Sequence, residues 1–268
     1  MTHAHPSDAW NEGYPYELYV GRWSRLIADE FLAWLNLPPS LRWLDVGCGT
    51  GALTAAIAER CRPSRLVGIE PSEGFLAKAR ERLKGKATFH VADASAIPLP
   101  DSSVDVVVSG LALNFIPNPA AGLAEMERTA RVGGTIAAYV WDYAGKMEFM
   151  RYFWDVAVEL NPDARELDEG SRFPLCKPDA LEGLFRTAGL TEIVVAPIDI
   201  PTRFRDFDDY WTPFLGGQGP APSYAMSLDE AARFRLRDRI HERLPVQPDG
   251  AISLVARAWG IKSRVPAR

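Results

Sequence analysis

Short apolar runs alternate along this chain with stretches whose apolar positions return every three to four residues. Residues 41–46, 65–70, 87–92, 104–109 and 135–141 are runs of strand length, apolar enough for a parallel sheet buried on both faces. Between them, residues 51–61 put Leu53, Ala56 and Ile57 on one helical face. Ser72 offers a capping hydroxyl to a helix whose buried stripe is Phe75, Leu76, Ala79 and Leu83. A further helix is expected over 118–131, broken by Gly133 and Gly134. Ahead of all these, Trp23, Ile27, Phe31 and Trp34 predict a helix over 22–35 that Pro38 and Pro39 stop. Strands alternating with helices predict an α/β fold: a Rossmann-like, doubly wound, mostly parallel sheet.

Past Trp141 the rhythm changes. Residues 145–160 read as a helix that is apolar nearly all round, through Met147, Phe149, Met150, Tyr152, Phe153 and Trp154. Residues 179–189 are an ordinary helix leading to a sixth strand at 192–198. Residues 201–249 form an irregular insertion, with helices near 204–211 and 228–243 around a loop at 213–222. Residues 251–261 predict a last strand. The expectation is a single domain over 1–268, with a core of about 36–143, 177–200 and 250–262. A discontinuous helical cap would come from 1–35, 144–176 and 201–249.

Composition narrows the partners. The chain has 268 residues, 47% of them apolar, and a net charge of −5, so no nucleic-acid or anionic-membrane partner is called for. The arginines from Arg233 to Arg239 are interleaved with acids and read as a solvated helix face. Cys48, Cys61 and Cys176 are too scattered for a disulfide framework or a zinc site, which fits a reducing, cytoplasmic setting. The polar start at 1–11 predicts no signal peptide, and no apolar run is long enough to span a bilayer.

The chemistry gathers where the first strand ends. Asp45 is followed by Gly47, Cys48, Gly49, Thr50 and Gly51, a turn whose glycines let the backbone pass close to a ligand. Main-chain N–H groups at 47–51 and the next helix N-terminus favour a carboxylate or a close-packed tail. Glu70 ends the second strand, where two carboxylate oxygens can accept both hydroxyls of a ribose. Asp93 closes the third strand, where an acid can serve as a helix or turn cap or contact a ligand. A loose G-x-G-x-x-G/A match alone leaves a dinucleotide ligand open.

The acid before the glycines, with Glu70 and Asp93 in register, resembles the class I S-adenosylmethionine (SAM) dependent methyltransferases over residues 41–141. The small-molecule branch that includes quinone and sterol methyltransferases is the nearest likeness. That resemblance implies a seven-stranded sheet whose last strand is antiparallel and inserted beside its predecessor. It implies SAM as cofactor, with Asp45, Gly47 and Gly49 at the methionine end, Glu70 on the ribose and Pro71 on the adenine face. Asp93 and the Ala94 N–H would take the adenine edge, and Ser109, Gly110 and Leu111 would lie beneath the sulfur. Tyr19 and Arg22 are candidates for the cofactor carboxylate, a group that arginine holds well, and Arg22 reads equally as a surface residue. Cys48 is a small packing residue in the turn.

The exit of strand four lacks both an Asn/Asp-Pro-Pro-aromatic motif and a magnesium-binding Asp, so metal-free methyl transfer to a small, partly apolar molecule is expected. Alignment and exclusion of water can supply most of that reaction's acceleration. His90, His241 and Tyr143 are the candidates for a general base; His90 by default is structural and His241 exposed. The cap aromatics Phe149, Phe153, Tyr210, Trp211 and Phe214 fit either an acceptor site or the cap's own core. The rival readings are an NAD-type oxidoreductase and a SAM-binding protein without catalysis.

Overall fold

A computed structural model describes residues 21–217 and 219–267; Tyr19 lies outside them. The residues group into two compact units. Of the described residues, one comprises 23–141, 175–198 and 258–267; the other comprises 21–22, 142–174, 199–217 and 219–257.

The first unit is built on a seven-stranded sheet. Its elements are α1 (Arg22–Leu35), β1 (Arg42–Val46), α2 (Ala52–Arg60), β2 (Arg65–Glu70), α3 (Glu73–Leu83), β3 (Thr88–Val91), β4 (Val104–Gly110), α4 (Pro119–Thr129) and β5 (Ala130–Trp141). After residues 142–174 of the second unit come α7 (Pro178–Thr187), β6 (Thr191–Phe204) and β7 (Ile252–Arg264), the last two strands running on into the second unit. The strand order is β3-β2-β1-β4-β5-β7-β6. β1 pairs in parallel with both β2 and β4, and β5 is parallel to β4. β7 runs antiparallel to β5, inserted between β5 and β6.

Leu44, Val46, Val67, Ile69, Val107, Ile136 and Val140 form the centre of the sheet's core, with Leu123, Met126, Leu181 and Phe185 covering them from the helices. Of the helical stripes predicted from periodicity, Trp23, Ile27 and Phe31 on α1 and Leu76, Ala79 and Leu83 on α3 are buried, while Trp34 and Phe75 are half-buried. Ser72 caps α3 by accepting the Phe75 N–H. Phe31 lies against Tyr139, 4.6 Å between ring centres, which packs α1 onto the sheet.

The start of β5 differs from expectation. Gly133 and Gly134 do not break a helix; α4 has already ended at Thr129, and the glycines lie inside β5 as a bulge. The register with β4 jumps there, from Val104↔Ala130 to Val106↔Thr135. A side chain on Gly134 would sit 2.7 Å from the Arg131 carbonyl oxygen, so only glycine lets the two strands close at that step.

The second unit is mainly helical: α5 (Glu148–Leu160), α6 (Glu169–Arg172), α8 (Phe207–Trp211), α9 (Pro220–Ser227) and α10 (Glu230–Arg243). The expected loop at 213–222 is largely helical, because a 3-10 turn at Thr212–Leu215 and α9 occupy it. The aromatic residues make a packed core: Phe153 stacks on Phe214 at 4.5 Å, and Phe149 lies 4.8 Å from the same ring. The Tyr210 hydroxyl donates to the Phe149 carbonyl at 2.8 Å, satisfying the polar end of a fully buried ring. Phe149, Phe153, Tyr210 and Phe214 thus spend their surface on each other. On α10, Arg237 pairs with Asp208 and Asp238, and Arg239 with Glu159 and Glu242.

Candidate functional site

β1 is the strand at which the order of the sheet reverses, with β2 on one side and β4 on the other. In open α/β sheets ligands settle outside the carboxyl ends of the strands at such a point. Asp45, Glu70 and Ser109 all sit near those ends.

Asp45 faces Gly68 across β1–β2 and Val108 across β1–β4. Its side chain is completely enclosed. Oδ2 accepts the Thr54 hydroxyl at 2.6 Å, and Oδ1 has no hydrogen-bond partner among the described residues. Burial pushes its pKa up to about 7; the Thr54 hydroxyl opposes that rise and the charge of Glu70 adds to it.

The chain then turns through Gly47, Gly49 and Gly51 at φ +71°, +54° and +82°, the left-handed region that favours glycine. Gly47 also needs its bareness, since a Cβ there would come 2.6 Å from the Ala112 Cβ. Around Gly49 a Cβ would meet nothing within 4 Å, so this part of the turn presents open backbone. Four of the N–H groups at 47–51 have partners within the protein. Gly47 and Cys48 both donate to the Ile69 carbonyl, at 2.9 and 3.0 Å, and Gly51 donates to Cys48. The Gly49 N–H donates to Glu70 Oε2 at 3.1 Å. These bonds brace the turn against β2. Cys48 is buried there, and burial pushes its thiol pKa well up, so it packs as a neutral group.

Glu70 is nearly buried at the end of β2. Besides Gly49 on Oε2, it accepts the Ser72 N–H on Oε1 at 3.1 Å. Burial raises its pKa and these two N–H groups hold it back. Both oxygens are aimed by backbone, and each keeps a lone pair for a further donor. Pro71 follows, exposed.

Asp93 lies two residues beyond β3 rather than closing it, and it is exposed. Its Oδ1 accepts both the Ser95 N–H at 2.8 Å and the Ser95 hydroxyl at 2.6 Å, which lowers its pKa. Asp93 therefore shapes the turn that carries Ala94, whose side chain is buried.

β4 ends at Ser109 and Gly110. Ser109 is fully buried, and its hydroxyl oxygen has no partner among the described residues. Leu111 takes φ +61°, strained for a residue with a side chain, and is tied by its N–H to the Tyr139 carbonyl at 2.8 Å. A side chain on Gly110 would lie 2.6 Å from the Tyr139 hydroxyl. Three residues on, Asn114 Oδ1 is enclosed without a partner among the described residues.

The remaining candidates are more scattered. Arg22 belongs to the second unit, where its guanidinium donates to Asp209 at 3.0 Å and lies 4.6 Å over the Phe204 ring. Tyr143, also in that unit, is buried beside Phe173 at 5.9 Å. His241 is exposed on α10, 4.2 Å from the Phe207 ring. His90 is mid-strand in β3 and half-buried, facing Ile69 in register. Among the described residues no cluster of three or more His, Cys, Asp or Glu is arranged to hold a metal. Sequence reasoning overlooked Thr54; its one signal was a hydroxyl residue beside the apolar face of the helix that follows the turn.

Comparison with known proteins agrees with this geometry. A family model described as a methyltransferase domain matches residues 44–138, which hold Asp45, Glu70, Asp93 and Ser109. The demethylmenaquinone methyltransferase of Roseiflexus castenholzii is 36% identical over 173 residues, 59% of this chain and 72% of that one. A 2-methyl-6-phytyl-1,4-hydroquinone methyltransferase of rice is 32% identical over 146 residues, 53% of this chain and 41% of that one. In fold, the chain is similar to Haemonchus contortus phosphoethanolamine N-methyltransferase 2, solved with S-adenosylhomocysteine, at a TM-score of 0.59 and 15% identity. That match covers 95% of this chain and 58% of the other. The [4+2]-cyclase SpnF is also similar, at a TM-score of 0.56 and 21% identity over 92% of this chain and 82% of its own. The fold by itself therefore serves more than one chemistry. The decision comes from sequence kinship across most of the Roseiflexus enzyme's length, by which the chain belongs to the family of SAM-dependent methyltransferases.

Proposed function

We propose that the cradle of Asp45, Gly47, Gly49, Glu70 and Asp93 holds SAM, and that the enzyme methylates a small, partly apolar molecule without a metal ion. The observation that carries this reading is Glu70, a nearly buried carboxylate whose oxygens are each fixed by one backbone N–H and each keep an accepting position. A ribose diol is the group that such a pair suits. The fit extends to the bare backbone at Gly49 and to the enclosed, unpartnered oxygens of Asp45 and Ser109.

In this assignment Gly47, Gly49 and Asp45 take the methionine end, with Cys48 packed behind them. Pro71 meets the adenine face, and the free Oδ2 of Asp93 with the Ala94 N–H takes the adenine edge. Ser109 and Leu111 lie under the reactive sulfur. When bound, SAM supplies an electrophilic methyl group on a cationic sulfur. The chain's own residues align, bind and exclude water, and such alignment is worth about 7–11 kcal/mol of barrier in favourable cases. Within the sheet unit the candidate general base is His90, and the need for one depends on the acceptor's own acidity.

The relatives named for demethylmenaquinone and for a phytyl hydroquinone support a partly apolar acceptor. No helix among the described residues is long and apolar enough to cross a membrane, which is compatible with the cytoplasmic location we propose. Calorimetric titration with S-adenosylhomocysteine tests the cofactor assignment, and absence of binding would refute it. Turnover of radiolabelled SAM with a set of hydroquinones, phenols and amines tests the acceptor class.

A further inference from the structure

Among the described residues, Asp45 is an acid without a counter-charge. Its Oδ1 is enclosed and unpartnered among the described residues, and Oδ2 has only the Thr54 hydroxyl from α2. The turn contributes the buried Cys48 thiol, and β2 contributes Glu70, a second carboxyl whose charge opposes ionisation of the first. The residues level with Asp45 on the flanking strands, Gly68 and Val108, carry no charge. An ionised carboxylate sealed in such surroundings is costly, so the free protein favours the neutral acid.

We propose that Asp45 is a specificity-determining residue: by giving up its proton in the field of a bound cation, it makes the turn prefer the sulfonium of SAM over the neutral thioether left after methyl transfer. The inference rests on the cofactor reading above. A positive charge brought to the turn favours the carboxylate, and the released proton passes to solvent. By reciprocity, the ionised carboxylate holds the cation more tightly. S-adenosylhomocysteine shares the ammonium and carboxylate of the methionine tail but lacks the sulfonium charge, so the shared charges cancel when the two ligands are compared. Burial puts the Asp45 transition at about 7, so the preference for cofactor over product grows across neutral pH.

Isothermal titration calorimetry with SAM and with S-adenosylhomocysteine, at about pH 6 and about pH 8, tests this. For the wild type the ratio of the two Kd values shifts about three- to tenfold in favour of SAM as pH rises, one pKa unit corresponding to tenfold. Asp45→Asn holds the ratio flat. Thr54→Val removes the donor that steadies the ionised form and moves the shift to higher pH. Should either variant fail to fold, the wild type alone answers: in buffers of different ionisation enthalpy near pH 7, SAM releases more protons than S-adenosylhomocysteine. An unchanged ratio with equal proton release overturns the inference while leaving the proposed function intact. Binding of neither ligand overturns the proposed function itself.

Discussion

Glu70 accepts a hydrogen bond from the Gly49 backbone at 3.1 Å, across 21 residues of chain. One contact therefore fixes both the shape of the turn and the aim of the carboxylate. The Ser72 N–H on the other oxygen, also at 3.1 Å, links the same carboxylate to the start of α3.

Glu70→Ala is expected to weaken S-adenosylhomocysteine binding by at least tenfold, since hydrogen bonds to charged groups are worth about 1.5–3 kcal/mol each. The same change frees two N–H groups and lowers Tm by a few degrees. Calorimetry read beside a thermal melt separates the two effects. Wild-type affinity in the variant would remove Glu70 from the site.

Gly47 and Gly49 share a left-handed backbone but differ in what surrounds them. Gly47→Ala drives a methyl group to 2.6 Å from the Ala112 Cβ, so its main effect is on stability, by about 1–3 kcal/mol beyond the backbone strain. Gly49→Ala meets no neighbour within 4 Å, so its stability cost is about 1 kcal/mol from the backbone alone. Its main effect is on cofactor affinity, because it fills open backbone. Urea denaturation and ligand titration of both variants should show this crossing pattern.

Asp93 can act on the adenine directly or through the turn it shares with Ser95. Asp93→Ala is expected to reduce cofactor affinity about tenfold, with stability changed by about 1 kcal/mol because the side chain is exposed. Ser95→Ala removes the 2.6 Å hydroxyl contact and keeps the carboxylate, so affinity should fall less than threefold. Equal losses in the two variants would mean that Asp93 serves only the turn.

Glu169, in the helical unit, is buried and accepts the Trp154 indole N–H. Burial pushes its pKa up to about 8. An acid with a raised pKa binds its proton in the folded chain after the unfolded chain has released it, so stability falls as pH rises from the ordinary carboxyl range, about 4.3, to about 8. Glu169→Gln keeps an oxygen for Trp154 and cannot ionise. It should reduce the loss of stability between about pH 5 and pH 8, by about 1–3 kcal/mol, measured by chemical denaturation at each pH. A profile unaltered by the substitution would contradict the neutral state of Glu169.

Much of the sheet unit was legible from local pattern. The apolar strands, the cap at Ser72 and the glycine turn all depend on residues within a few positions of one another. The same pattern misjudged β5, because the bulge at Gly133 and Gly134 answers to the Asp105 and Arg131 backbones. It left the cap aromatics ambiguous, since only their mutual stacking shows that Phe149, Phe153 and Phe214 form a core.

The acid, the glycines and Glu70 could be read from the chain as parts of a nucleoside-binding turn. Their order and spacing follow from backbone freedom and strand length, which are properties of short segments. How those parts are used was decided in three dimensions. The N–H groups of Gly47, Cys48 and Gly49 are spent on Ile69 and Glu70, Asp45 lies sealed beside Thr54, and Arg22 is engaged by Asp209 from 187 residues away. Hydrogen bonds and burial between distant segments set which groups stay available and which stay charged, and no local rhythm of residues carries that information.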